Sequence, residues 1–244
     1  MKRIRITQPK NQSLTYLYKD ILHDALVNAW ILAGAEPEEV VGPNARPWHF
    51  GALGWRRRQE NAVHTLVVGT YDQHLSNILT NIRPEDIQQA RALTGEAVDF
   101  SAAKVEDDPA PVIWGQKHLG ALMLSPLVVS VPLSSRNGRK WQTCLTDFDA
   151  SAAISARLTR LTGRKVNIRV LPDTLYLRSR SRHDVLVRLK KLVNGKEVYV
   201  IGMKMPLVLE ANEEDLALAW YAGIGEKNRN GFGCIGSVDR GVGR

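Results

Sequence analysis

Cysteine is scarce in this 244-residue chain: only Cys144 and Cys234 are present, far apart. That excludes a disulfide framework and a thiolate zinc site, and it fits two unpaired thiols in a reducing cytoplasm. Long apolar runs are also missing. The most apolar stretch, "LGALMLSPLVVSVPL" (Leu119–Leu133), is broken by Pro126 and Pro132. It falls short of the ~20 residues that a helical membrane span needs. The N-terminal "MKRIRITQPK" alternates charged and apolar residues, without the apolar core of a signal peptide. A cytoplasmic protein without a membrane-spanning segment is therefore expected. Acids are outnumbered as well, 25 against 33 Lys and Arg, which leaves a net charge of +8. Such an excess points to a polyanionic partner. In the acidic run Glu106 to Asp108 of "KVEDDPAPV", no histidine or further acid is spaced to complete a metal site. It reads as a solvated loop, so no metal and no other cofactor is expected.

What is present has a clear order. "RIRITQP" alternates like a strand, and "SLTYLYKDILHDALVNAWILAG" follows with helical periodicity. Leu14, Tyr18, Ile21, Ala25, Ala29 and Leu32 share one stripe, with Ser13 as the expected N-cap and Gly34 as the stop. "WHFGALGW" and "AVHTLVVGTY" read as two strands joined by the polar turn "RRRQEN", and "DQHLSNILTNI" as a shorter helix. Residues 83 to 118 break the pattern and read as an insertion, with "PEDIQQARALTG" as a short helix. The second half repeats the element order: strand material in "ALMLSPLVVSVPL", a helix in "DFDASAAISARLTRLTG", and two strand-rich segments with an Asn194-Gly195 hairpin turn. A helix in "EANEEDLALAWYAGIG" and a last strand in "CIGSV" complete it. The length and order predict an α+β chain of two tandem ferredoxin-like (RRM-like) domains, 1–120 with an insertion at about 83–118, and 121–244.

The cations cluster. Between Ser151 and Lys191 lie eleven Lys and Arg and only two acids, Asp173 and Asp184. Arg157, Arg160 and Arg164 fall at i, i+3 and i+7 beside the apolar stripe of Ile154, Leu158 and Leu161, so they form a basic stripe. Arg178, Arg180 and Arg182 alternate in "LRSRSRH" and would share one side of an extended segment. Arg188, Lys190 and Lys191 follow. A ridge dominated by arginine suits phosphate contacts.

Near the C-terminus, "YAGIGEKNRNGFGCIG" holds five glycines in sixteen residues, with Lys227 and Arg229 between the glycine pairs. Five residues separate Gly225 from Gly231, and Phe232 stands where a Walker lysine would, so this is not a P-loop. It follows a helix, so it is not a dinucleotide fingerprint either. Glycines allow positive φ and close approach, and successive N–H groups can line an anion site.

The stretch "GKEVYVIGMKMPLVLEANEEDLALAWYAGIGEKNRNGFGCIGSV" resembles the C-terminal pattern of the CRISPR-associated repeat-processing endoribonucleases of the repeat-associated mysterious protein (RAMP) superfamily. That pattern is a hairpin strand, an amphipathic helix, then G-φ-G-(x)5-G-φ-G, where φ is apolar. Gly225, Gly231 and Gly233, with Gly223 upstream and Ile224 and Phe232 apolar, carry it here. "LSPLVVSV" resembles the start of the family's second domain. The resemblance implies two ferredoxin-like domains and a precursor CRISPR RNA cut without metal at the base of a repeat stem-loop. It implies 2′-hydroxyl attack, a 2′,3′-cyclic phosphate product that stays bound, and partner subunits in an effector complex. The alternative is a RAMP subunit that holds RNA without cutting it. Gly225, Lys227, Arg229, Gly231 and Gly233 would then contact RNA, together with the arginine-rich segments.

Such a cut needs a base, an acid for the leaving 5′-oxygen, and cations for the developing charge. Histidine suits the proton transfers. His64 and His74, in a strand and a helix, read as structural; His118 lies in the irregular region, and His183 falls in the basic hairpin, where RNA contact is expected. His49 is a secondary catalytic candidate. Tyr16, Lys19 and His23, at i, i+3 and i+7 of the first helix, would share one face away from the apolar stripe, with Trp30 on the same side. These three are the catalytic candidates.

Overall fold

The computed structural model describes residues 1–9, 14–17, 19–54, 62–89, 96–132, 139–180 and 182–238. Ser13, Tyr18, the "RRRQEN" turn and the second half of "PEDIQQARALTG" lie outside them. The chain forms two compact units. The first comprises Met1–Pro109, Arg188–Tyr199 and Arg229–Gly231; the second comprises Ala110–Val187, Val200–Asn228 and Phe232–Arg244.

In the first unit, β1 (Lys2–Thr7) puts Ile4 and Ile6 into the core, as its alternation predicts. Helix α1 (Asp20–Leu32) buries Ile21, Leu22, Ala25, Leu26 and Ala29. Then come β2 (His49–Gly54), β3 (Ala62–Thr70) and α2 (Gln73–Leu79), whose N-cap Asp72 accepts the Leu75 N–H at 2.9 Å. A last strand, β4 (Lys104–Asp107), pairs antiparallel with β1, Ile6 opposite Val105. The antiparallel order is β2-β3-β1-β4, that of a ferredoxin-like sheet. Ile4, Ile6, Phe50, Leu66 and Val68 meet Leu22, Leu26 and Trp30 of α1 and Leu75 and Leu79 of α2 in one core. Each such fully buried apolar side chain contributes about 1.5–3 kcal/mol.

Four expectations for this unit need correction. The acidic run is not a solvated loop. Lys104–Asp107 completes the sheet edge, and Asp108 is buried beside the buried Arg3, Oδ2 to Nε at 2.8 Å. Pairing with β1 and with Arg3 outweighs the polar composition. "PEDIQQ" is a single 3-10 turn (Pro84–Asp86) followed by a two-residue strand (Gln88–Gln89), not a helix. Helix α1 starts at Asp20, because Leu14–Thr15 pairs with β3 as a short strand instead. Finally, Trp30 does not point outward: it is fully buried, its ring 6.1 Å from that of Trp48.

The second unit repeats the arrangement. Its elements are β5 (His118–Met123), α3 (Ala150–Thr162), β6 (Arg169–Pro172), α4 (Thr174–Ser179), β9 (Pro206–Glu210), α5 (Glu213–Ala222) and β10 (Ile235–Ser237), together with the inner ends of β7 (Asp184–Lys191) and β8 (Glu197–Met203), whose outer parts, Arg188–Tyr199, belong to the first unit. The antiparallel sheet order β6-β9-β5-β10 is again ferredoxin-like. Helix α3 is capped by the Asp149 carboxylate, which accepts the Ala152 N–H at 2.8 Å, and ends at Gly163 in the left-handed region. Two hairpins are inserted. One pairs Ser130–Pro132 with Arg139–Trp141; the other is β7–β8, whose turn holds Gly195 at φ +80°. Among the described residues, no helix is long and apolar enough to cross a membrane.

Candidate nucleic-acid interface

Helix α1 begins without a side-chain cap. Lys19 occupies the N-cap position, and its carbonyl accepts the His23 N–H at 3.2 Å, so the two residues sit one turn apart. The Lys19 ammonium donates to the Gly231 carbonyl at 3.0 Å. The His23 ring lies on the buried Trp48, centroids 5.8 Å apart and planes 20° apart, and its Nδ1 donates to Asp24 Oδ1 at 3.1 Å. Trp48 is itself fixed, because its Nε1 donates to the Val40 carbonyl at 3.1 Å. One side of the imidazole is therefore walled by protein, while the side chain keeps 21% of its exposure.

Tyr16 does not join them. It precedes the helix, in the turn after the short strand, and is buried. Its hydroxyl has no hydrogen-bond partner among the described residues. Burial, with the charge of Glu96 adding, pushes its pKa well above the ordinary phenol value. The assignment of Tyr16 to the helix face is corrected: an apolar contact in the core wins over helical spacing. The other histidines are accounted for. His49 is fully buried against Gly69, so it has no route to a substrate. His64 is buried beside Thr65 Oγ1 at 2.7 Å, and burial lowers its pKa. His74 pairs with Glu39 at 3.1 Å, and His118, within β5 rather than in an irregular segment, stands 3.6 Å from Glu210. His183 is not an RNA-facing hairpin residue. It is buried, and its Nε2 accepts the Leu145 N–H at 3.2 Å.

The start of α1 also meets the outer part of the β7–β8 hairpin. The Lys19 N–H reaches the Arg188 carbonyl at 3.4 Å. Burial raises the Asp20 carboxyl above its usual range and Asp24 adds to this, while the Ile21 N–H and the nearby Lys190 oppose it. Arg188, Lys190 and Lys191 are exposed. Within the first unit, then, Lys19, His23, Arg188 and Lys190 gather around one helix start, and Lys191 follows Lys190 on the same strand.

The glycine loop has a different construction from the open phosphate cradle its composition suggests. Gly225, Gly231 and Gly233 are buried and all have positive φ. A Cβ on Gly231 would stand 2.7 Å from the Phe50 ring; on Gly225 it would strike Leu127, and on Gly233 the Ile224 carbonyl. The N–H groups of Ile224, Glu226 and Gly233 already donate to carbonyls of Gly233, Val128 and Pro126. Asn228 ties the loop together by donating to the Ile224 and Phe232 carbonyls at 3.2 and 3.1 Å. These three glycines therefore serve close packing, and the loop's N–H groups named here form no open cradle. The loop's cations remain outside. Lys227 is exposed, in the left-handed region at φ +57°, with its Nζ 5.4 Å from the Trp141 ring centre. Arg229 is half-buried, donates to the Gly42 carbonyl at 2.9 Å, and has its pKa lowered by burial.

The arginine stripe of α3 divides in the same way. Arg157 donates to the Gly223 carbonyl and to Asn228 Oδ1, so it braces the loop. Arg164 pairs with Asp215 at 2.6 Å and Glu214 at 3.2 Å. Only Arg160 is exposed without an acid partner among the described residues. The three do not act as one free ridge, because acids of α5 and loop carbonyls claim two of them. Nor do Arg178, Arg180 and Arg182 alternate along a strand. Arg178 lies in the last turn of α4 and Arg180 is its C-cap, 5.9 Å from the Tyr176 ring, because Asp173 caps a helix there. All three are exposed.

Sequence reasoning missed the hairpin carrying Arg139, Lys140 and Trp141. The Glu226 carboxylate accepts from Ser130 Oγ at 2.9 Å and from Arg139 at 3.2 Å, and so fixes this hairpin. The signal was available as Asn137-Gly138 flanked by cations.

A family profile described as "CRISPR associated protein Cas6, C-terminal" matches residues 109–236, just over half of the chain. No curated protein sequence matches. Among solved structures, one described as "Characterization of a Cas6-related gene from Pyrococcus furiosus" is similar with a TM-score of 0.67 at 15% identity, covering 98% of both chains. Another, described as "An RAMP protein binding different RNA substrates", has a TM-score of 0.66 at 15% identity, covering 98% of this chain and 100% of the other. A structure described as a Cas6 product complex has a TM-score of 0.56 at 14% identity, covering 98% of this chain and 99% of the other. At these identities the likeness carries the fold: tandem ferredoxin-like units. With the glycine loop, the sheet orders and the profile match agreeing, the chain belongs to the CRISPR-associated Cas6 family.

Proposed function

We propose that this chain is an endoribonuclease that binds the stem-loop of a CRISPR repeat and cuts the precursor RNA by attack of a 2′-hydroxyl on the adjacent phosphate. The supporting observation is the cluster at the start of α1: the His23 imidazole seated on Trp48, the Lys19 ammonium one turn earlier, and Arg188 and Lys190 beside them. Family membership supplies the substrate class. Solved relatives described as a Cas6 product complex and as a CRISPR endoribonuclease bound to a 19-nucleotide RNA agree with it.

The 2′-oxygen loses its proton and bonds to phosphorus as the bond to the 5′-oxygen breaks. The leaving oxygen takes up a proton. The products are a 2′,3′-cyclic phosphate and a 5′-hydroxyl. With Nδ1 donating to Asp24, Nε2 of His23 is the nitrogen left to exchange a proton with the RNA. Lys19, whose ammonium holds the Gly231 carbonyl, brings its positive charge to the phosphoryl oxygens. None of these roles requires a metal. Arg160, Arg178, Arg180, Arg182, Lys227 and Arg229 are further RNA contacts, each on its own unit, and the protein keeps its product and joins partner subunits in an effector complex. A second reading, an RNA-holding subunit without cleavage, is favoured by the burial of Tyr16, which removes one of the three catalytic candidates.

The test is cleavage of a repeat stem-loop in EDTA. His23→Ala should slow it by about 10²–10⁴-fold, the usual share of general acid–base catalysis. RNA affinity should stay near that of the parent. A 2′-deoxy nucleotide at the cut should block the reaction. Cleavage of the deoxy substrate would defeat the mechanism, an unchanged rate in His23→Ala would defeat the residue, and no cleavage by the parent would leave the RNA-holding reading.

A further inference from the structure

In the second unit, the segment between β4 and β5 ends in a turn that faces two large apolar side chains outward. Trp114 is 91% exposed and Ile113 75%. Single exposed apolar side chains are ordinary, but two large ones side by side on an ordered turn mark a contact surface. This turn is built, not loose. The Gln116 N–H donates to the Ile113 carbonyl at 3.1 Å, and the Gln116 side chain returns the bond by accepting the Ile113 N–H at 3.1 Å. Gly115, at φ +79°, takes the left-handed corner, and its N–H donates to Glu213 Oε2 at 2.6 Å. Upstream, the Ala110 N–H donates to the Tyr221 hydroxyl at 3.1 Å. The turn is thereby tied to both ends of α5, and Ile113 and Trp114 line a shallow notch with Glu213, Glu214, Ala217 and Tyr221.

The lining decides the occupant. In a chain with a net charge of +8, this notch is edged by two carboxylates. Glu213 keeps Oε1 beyond its bond to Gly115. Glu214 shares its carboxylate with one guanidinium, Arg164, and remains largely exposed. RNA phosphates are repelled by such an edge. A lysine or arginine beside an apolar side chain fits it, the cation between Trp114's face and the glutamates and the apolar group against Ile113 and Ala217. Two large side chains and a shallow notch offer well under the ~800 Å² per partner that a stable dimer buries. The occupant is therefore a short segment, not a second copy.

We propose that the Ile113–Trp114 turn and the start of α5 form a docking site for a short protein segment that presents a cation next to an apolar residue. The site is independent of the RNA-binding surface.

The probe is a random-peptide phage library panned on the full chain. Peptides enriched on the parent should place Lys or Arg within two residues of an apolar side chain. Synthetic copies of them should lose on the order of tenfold or more in affinity with Trp114→Ala, as hot-spot tryptophans do. Glu214→Gln should weaken the same peptides, while the melting temperature and the affinity for the repeat stem-loop stay unchanged. Four outcomes overturn the proposal. They are no enriched peptide, enrichment without cations, loss of RNA affinity in Trp114→Ala (a base-stacking platform), and self-association of the parent that Trp114→Ala abolishes (a second copy).

Discussion

Gly231 has no room for a side chain. Its φ of +82° lies in the left-handed region, and a Cβ would stand 2.7 Å from two carbons of the Phe50 ring. Its carbonyl also holds the Lys19 ammonium. Gly231→Ala should therefore cost about 2–4 kcal/mol, the sum of the left-handed penalty and a small overpacking term. Urea unfolding measures it, and a loss under 1 kcal/mol would show that the ring gives way freely. Cleavage should fall further than RNA affinity, because Phe50 stacks on Trp48, which seats His23. A second residue-scale test concerns Asp108. Arg3 and Asp108 are both nearly free of solvent, and removing the Asp108 carboxylate takes the 2.8 Å counter-ion from a buried guanidinium. Asp108→Ala should destabilise the protein by about 3–5 kcal/mol. A stability within 1 kcal/mol of the parent would mean that Arg3 finds water or another acid.

On helix α3, neighbours on one stripe have different jobs. Arg157 supports the glycine loop from within, whereas Arg160 is exposed. Arg157→Ala should lower the melting temperature. Arg160→Ala should leave it alone and reduce the log–log salt slope of RNA binding by about 0.7–0.9, one phosphate contact. The reverse pattern would exchange their roles. The sequence could not separate them: helical spacing says which residues share a face but not what packs against it. The same limit explains the other elements. β1, β2, β3, α2, α3 and α5 were legible because period, caps and turn residues agreed. β4 was not, because "KVED" is a polar edge strand whose only apolar residue is Val105, and its pairing with β1 is non-local. Helix α1 was overextended at its start because Leu14 and Tyr16 continue its period while belonging to a strand and a turn. The glycine loop was read correctly as special, but its glycines answer to Phe50, Leu127 and Ile224, contacts that no spacing reveals.

At the scale of the whole molecule, the fold of this basic chain lowers the pKa of two buried histidines. His183 needs a neutral Nε2 to accept the Leu145 N–H, and burial, opposed by Asp184 and Asp147, lowers its pKa. His64 is lowered by burial first and by Arg5 in addition, against a backbone hydrogen bond. In the unfolded chain both rings take up protons near the ordinary value of about 6.5. The folded state resists that uptake, so below this pH the unfolded state binds more protons and gains relative stability. The stability these two rings contribute is fully present above about pH 6.5 and is lost as pH falls from there toward their folded values. Urea unfolding midpoints at pH 7.5 and pH 5.5 should therefore differ, with the acidic one lower. His183→Gln keeps an acceptor for the Leu145 N–H without a titrating ring, so it should narrow the difference between the two midpoints. If His183→Gln unfolds with the same pH gap as the parent, proton uptake by this ring does not contribute to acid sensitivity, and the burial of His183 is of steric importance only.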